Sequence, residues 1–325
     1  GVNAGNSIAS GGNYNTVVGD EAGTALTTGD NNVAVGFEAL KTEDGHGQNV
    51  AVGYRALKTL NAGGDAHNTA VGNLAGEDVT TGTGNTLIGS LSGMGLTTGG
   101  SNTALGYNSL EVDTAGSKTV AIGFNALQAQ NFSSATDSHN TAVGYNAGLV
   151  VTTGVSNTLI GSRAGDALTD ADYNVAVGDG ALSNDTQGSL SVAVGNYTLE
   201  SQNFTSATNT YNTAVGNQAG NDITTGIQNT LIGGLAGTKL TDADYNVAVG
   251  VGALDLDTKG SKSTAIGYDA LSTQNFTSST DSLNTAVGYN AGKLITTSIK
   301  NTLVGSQAGD GICLLYTSPS PRDRT

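Results

Sequence analysis

The chain has 325 residues, of which 49 are Gly, with 2 Pro, 1 Met, no Trp, 5% aromatic and 12% charged residues. So few bulky side chains exclude a thick globular core, and 37% hydrophobic residues exclude the composition of a disordered chain. A net charge of −15 with 12 Lys and Arg excludes a surface for nucleic acid or anionic membrane, which clustered cations must neutralise. No apolar run approaches the roughly 18 residues needed to cross a bilayer.

Residues 1–12, opening Gly1-Val2-Asn3 without Met or a charged-then-apolar leader, read as a truncated lead-in. From residue 13 to 312 the chain repeats. A five-residue motif, Asn/Ser/Thr, Thr/Val, Ala/Leu/Val, Val/Ile/Leu, Gly, occurs seventeen times, first at residue 15 and last at residue 301. The spacing is 17 residues except for one step of 19 and three of 21, and each 21-residue step closes a super-repeat of 72. Thus His67 to Gly72 returns as His139 to Gly144, Tyr211 to Gly216 and Leu283 to Gly288. Three residues after most motif glycines comes Ala, then Gly or Leu, as at Ala22-Gly23, Ala39-Leu40, Ala147-Gly148 and Ala219-Gly220.

Seventeen residues are too few for two packed helices. Each unit instead opens with a β-branched alternating stretch, breaks at Gly and later meets a Thr-Gly or Asp-Gly turn. This predicts an all-β fold, a parallel β-solenoid of about 17 coils of 17 residues in 72-residue super-repeats. Coils stacked about 4.8 Å apart would make a rod on the order of 80 Å long. Gly72, Gly144, Gly216 and Gly288 are the expected turn positions, with φ > 0 or backbone too close for a Cβ. Ala147 and Ala219 are expected to pack tightly inside the coil.

Alternation divides the motif. Positions two and four point one way and positions one, three and five the other, and both faces avoid charge. The small Ala/Gly face suits a thin coil interior. The Val/Ile/Leu stripe, including Val71, Val143, Val215 and Val287, then needs a cover that one chain does not easily supply, so a closed homo-oligomer is expected.

The motif as it stands at Asn212 to Ala219, Asn-Thr-Ala-Val-Gly-x-x-Ala, resembles the head repeats of YadA-like trimeric autotransporter adhesins and similar repeats of phage tail fibres and hemagglutinin-like proteins. The resemblance covers about residues 13–312. It implies a homotrimer of left-handed parallel β-rolls with the apolar stripe on the three-fold axis. The setting it implies is extracellular, on a virion tail fibre or a bacterial cell surface, with host polysaccharide or matrix as the partner. The coils here are longer than in those heads, so each should carry a longer outward loop.

Residues 313–325 follow none of this pattern, hold the lone Cys and both Pro, and resemble one reading frame of a sequencing adaptor, as in a fragment translated from environmental reads. They are set apart from the fold as non-native.

Candidate chemistry is sparse. The three histidines are His46, His67 and His139; the last two fill a slot that later holds Tyr211 and Leu283, and all three read as structural or solvent-facing. No spacing matches a nucleophile elbow or a phosphate-binding loop, and neither an enzyme nor a cofactor is expected. Asp170 and Asp172, repeated as Asp242 and Asp244, are oxygen-rich enough for Ca²⁺, but they recur once per super-repeat and read first as solvated turns. The three long steps insert Gln130-Asn131-Phe132, Gln202-Asn203-Phe204 and Gln274-Asn275-Phe276. Phe132, Phe204 and Phe276 either stack on a glycan or fold back as plugs, and Asn131, Asn203 and Asn275, like Asn184 and Asn196, head Asn-x-Ser/Thr acceptor sequences. Thr pairs such as Thr80-Thr81 and Thr97-Thr98 skip most coils, which counts against the unbroken ladder of an ice-binding solenoid. The expected function is a non-enzymatic fibre or adhesin segment, spacer and host-surface binding rod. The alternative is a self-assembling extracellular filament.

Overall fold

The computed structural model describes residues 1–310, and the segment 313–325 lies outside the described residues. The fold is an all-β parallel solenoid of about 17 turns, and among the described residues there is no helix and so none long and apolar enough to cross a membrane. The chain divides into two compact units, Gly1–Asn174 and Val175–Thr325.

In the first unit every turn contributes one three-residue strand of the motif. Thr16–Val18, Val33–Val35, Val50–Val52, Thr69–Val71, Thr86–Ile88, Thr103–Leu105, Val120–Ile122, Thr141–Val143 and Thr158–Ile160 pair in parallel with the next turn and in register. Equivalent motif positions therefore stand above one another, Ala34 on Ala51 and Ala70 on Leu87. The second unit repeats the pattern from Val175–Val177 to Thr302–Val304. The 21-residue steps add a second short pair, Gly116–Ser117 with Thr136–Asp137 in the first unit, and Gly188–Ser189 with Thr208–Asn209 and Gly260–Ser261 with Thr280–Asp281 in the second.

Position one of the motif faces the interior and builds a ladder. The backbone N–H of Asn85 donates to Asn68 Oδ1 at 2.9 Å, and that of Asn102 to Asn85 Oδ1 at 3.0 Å. Each Asn amide also donates across the turn, Asn68 Nδ2 to the Gly82 carbonyl at 2.8 Å and Asn85 Nδ2 to Gly99 at 3.0 Å. Asn is the side chain with a donor and an acceptor at the right reach, so a polar residue lies wholly buried without an orphan group.

The alternation of Gly and Leu after the recurrent Ala has a packing cause. Leu40, Leu57, Leu110 and Leu127 hold left-handed φ of 49–53° and are wholly buried. The left-handed backbone costs about 1–2 kcal/mol, which burial of a Leu side chain, about 1.5–3 kcal/mol, offsets. Where Gly replaces Leu the strand itself supplies the volume: a Cβ on Gly76 or Gly93 would lie 2.7 Å from a Leu87 methyl. Strand Leu with turn Gly and strand Ala with turn Leu fill the same space, and this exchange runs through each super-repeat, as at Leu159 between Gly148 and Gly165.

Candidate functional surface and the interior behind it

The expected turn glycines form a column in which backbones touch. Gly72 has φ +147° and a Cβ there would lie 2.2 Å from the Gly89 carbonyl oxygen; Gly144 has φ +146° and the corresponding distance to Gly161 is 2.3 Å. In the second unit Gly216 and Gly288 have the same conformation and the same close neighbour, Gly233 and Gly305. Any side chain would push adjacent coils apart. Ala147 and Ala219 are wholly buried, as the motif predicts.

The outward face of each strand is apolar and half open. In the first unit Val71 and Val143 are half-buried and Leu105 and Ile160 exposed at this motif position; in the second Val287 is half-buried and Val215, Ile232 and Ile266 are exposed. Position two, Thr or Val, lies half-buried beside them. Within each unit the face is uncharged from turn to turn, as a surface awaiting a cover would be.

Next to this stripe the residue after the motif Gly forms exposed stacks that sequence reasoning missed. Phe37 stacks on Tyr54 with ring centroids 5.5 Å apart, Phe124 lies between Tyr107 and Tyr145 at 5.4 and 5.5 Å, and Tyr268 stacks on Tyr289 at 5.5 Å. Arg55 covers the Tyr54 ring, its guanidinium 5.0 Å from the centroid. The signal was legible as an aromatic at motif position six in neighbouring coils.

The Phe insertions take the inward course. Phe132, Phe204 and Phe276 are 6–8% exposed, and ring atoms of Phe132 and Phe276 close over Gly116 and Gly260. Of the two courses open to these rings, the structure places them as plugs: burial of an aromatic in this thin interior outweighs leaving it in water. Asn131, Asn203 and Asn275 stay exposed.

Behind each Phe sits a polar cluster not foreseen from sequence. Asp113 is wholly buried; its Oδ1 accepts the backbone N–H of Gly116 and of Phe132, both at 3.1 Å, and its Oδ2 accepts Gln130 Nε2 at 2.7 Å. Gln130 Oε1 accepts Asn140 Nδ2 at 2.9 Å, and Gln130 Nε2 also reaches Thr119 Oγ1 at 3.1 Å, itself 2.6 Å from Ser138 Oγ. Burial pushes the Asp113 carboxyl up from its ordinary value, against the lowering effect of the Gln130 amide and the N–H groups of Phe132, Gly116 and Thr114. The second unit has two counterparts, Asp185 with Gln202 at 2.6 Å and Asp257 with Gln274 at 2.5 Å. The signal was present as Asp and Gln seven residues after successive motif glycines.

The Asp-x-Asp turns serve the backbone. Asp172 Oδ1 accepts the Val155 N–H and Asp244 Oδ1 the Ile227 N–H, both at 2.8 Å. Asp170 Oδ1 and Asp242 Oδ1 accept the neighbouring Thr169 and Thr241 hydroxyls at 3.1 and 3.2 Å, and Lys259 Nζ lies 3.5 Å from Asp242. Neither Asp pair gathers a third His, Cys, Asp or Glu ligand atom, so the weak Ca²⁺ reading gains no support among the described residues. Thr hydroxyls are likewise engaged, Thr80 donating to the Thr97 carbonyl at 3.1 Å and Thr97 to Thr114 at 2.9 Å, which spends on coil stacking the groups an ice-binding face would present.

His67 and His139 are exposed and hold φ of 53° and 50°, as Tyr211 and Leu283 do at 51° and 52°; the slot selects a left-handed backbone, not a side-chain chemistry. His46 differs, since its Nδ1 lies 3.3 Å from Glu43 Oε1. No family model matches the chain, and no curated protein matches it.

Proposed function

We propose that this chain is a segment of a non-enzymatic extracellular or virion fibre, of the phage tail fibre or trimeric surface adhesin kind. In this reading it serves as a spacer and host-surface binding rod assembled as a homotrimer. The observation that supports the reading most is the uncharged, half-open Val/Ile/Leu face of the strands, backed in each unit by a buried Asn ladder and a glycine seam in which neighbouring backbones touch. Such a stripe gains stability when a sister chain covers it, at roughly 25 cal/mol for each Å² of apolar surface removed from water. A partner of polysaccharide or matrix type would meet the outward turns, where the exposed aromatic stacks replace the buried Phe residues as the available rings.

The test is assembly. Sedimentation equilibrium of the chain should give three times its mass, and the double substitution Val143→Asp with Val215→Asp should leave monomers, because three charges brought into a dry centre cost several kcal/mol each. A wild-type monomer, or a trimer indifferent to both substitutions, removes the axial placement. An open polymer growing with concentration selects the alternative, a structural filament without a receptor.

A further inference from the structure

The interior carboxylate position provides an internal control. Asp113, Asp185 and Asp257 each meet a Gln amide from the following turn and two backbone N–H groups at 3.0–3.1 Å. In the first super-repeat the same position holds Glu43, and the following turn offers Leu60 where Gln stands later. Glu43 is nonetheless wholly buried. Its carboxylate receives only longer contacts, from the backbone N–H of His46 at 3.2 Å and of Ala62 at 3.4 Å, and its Oε1 faces His46 Nδ1 at 3.3 Å. A second carboxylate, Asp44, places Oδ1 3.9 Å from the same ring nitrogen.

Where the lost amide donor would have compensated a buried charge, this turn gathers an imidazole and a second carboxylate instead. The three ligand atoms lie within 4.8 Å of one another. Tetrahedral bonds of about 2.0–2.2 Å set ligand atoms roughly 3.3–3.5 Å apart, so the Glu43–His46 pair already has the spacing and the exposed Asp44 side chain needs only a small swing. The His46 main chain is held by the Asn32 amide, which donates to its carbonyl at 3.0 Å. With Glu43 buried and Asp44 open to water, a fourth ligand position faces solvent. A ring nitrogen with two carboxylates suits a borderline divalent ion better than Ca²⁺ or Mg²⁺, which prefer all-oxygen shells.

We infer that Glu43, Asp44 and His46 bind a single divalent transition ion of the zinc type, which takes the compensating place that Gln130, Gln202 and Gln274 fill in the later super-repeats. The ion pins the first long turn, where the 19-residue step omits the Phe insertion. The inference is independent of the fibre reading, since the site lies within one chain.

The test uses the full chain, stripped with chelator and titrated with Zn²⁺ by calorimetry and with Co²⁺ by visible absorption. One ion per chain is expected, with the intense d–d bands of a four-coordinate site and no displacement by a hundredfold excess of Ca²⁺. His46→Gln, at a half-buried side chain, and Asp44→Asn, at an exposed one, should each weaken binding at least tenfold, whereas Asp172→Asn should leave it unchanged. Glu43→Gln should also abolish binding; if that variant fails to fold, the His46 and Asp44 variants still decide. A wild-type chain that takes up no ion, an ion lost to Ca²⁺, or His46→Gln binding with unaltered affinity and spectrum overturns the assignment.

Discussion

Two kinds of turn share one backbone. In the turns at Gly76 and Gly93 the space is filled by apolar side chains, Leu87 from the strand with Val79 and Leu96, all wholly buried. In the turns at Leu110 and Leu127 the strand supplies only Ala104 and Ala121, the turn Leu fills the volume, and the position beyond it is polar, Asp113 and Gln130. The difference teaches that coil geometry is set by the Asn ladder and the glycine seam, while the filling is free to vary so long as volume and hydrogen bonds balance between neighbouring turns.

Forcing one filling into the other kind of turn should have the largest effect. Gly76→Leu puts a Cβ 2.7 Å from Leu87 Cδ1 and 3.0 Å from Leu57 Cδ2, and overpacking with a left-handed Leu should cost about 3–6 kcal/mol. Adding Leu87→Ala should recover at least about 1 kcal/mol, leaving a void at Gly93; urea unfolding of both variants is the measurement, and no recovery would mean the volume exchange is not the cause. Asp113→Ala orphans two backbone N–H groups and the Gln130 amide, with an expected loss of about 3–5 kcal/mol. Pairing it with Gln130→Leu, the residue type that Leu60 supplies earlier in the chain, should return about 1–2 kcal/mol, so a double variant as unstable as the single one would refute the network.

A gentler probe is pH, because the polar turn at Asp113 carries an interior titrating group. The Asp113 carboxyl is raised above its ordinary 3.8 by burial, so its unfolded form loses the proton first. Its contribution to stability is complete below 3.8 and is lost as pH rises through the raised folded value. Relative to Asp113→Asn, the urea midpoint of the wild type should therefore fall as pH rises above 3.8; a rise instead would reverse the assigned cause. The smallest effect is expected of Thr97→Val, which removes one hydroxyl donated to Thr114 at 2.9 Å in a half-exposed column, about 0.5–1 kcal/mol by thermal melting.

The solenoid, its repeat length and the inward course of Ala147 and Ala219 were legible because stacking forces equivalent residues into register, so periodicity in sequence is periodicity in space. Gly144 was legible for the same reason, though the carbonyl of Gly161 that forbids a Cβ was not. One feature stayed open and two escaped. The course of Phe132 stayed open between a glycan contact and a plug, because the pocket above Gly116 exists only once Thr136–Asp137 pairs with Gly116–Ser117. Asp113 and Gln130 lie 17 residues apart and meet only across stacked turns. The neighbour of His46, Glu43, was not singled out in sequence, because only the folded turn buries it against the ring.

By itself the sequence determined the periodic architecture: a strand, a glycine break and a return every 17 residues, with one face small and the other branched and uncharged. Only the tertiary structure decided what fills each turn, which polar side chains are buried together and which aromatic rings remain in water. The physical reason is that backbone period depends on local conformation, which each repeat encodes, whereas burial and hydrogen-bond partnership depend on residues a full turn away.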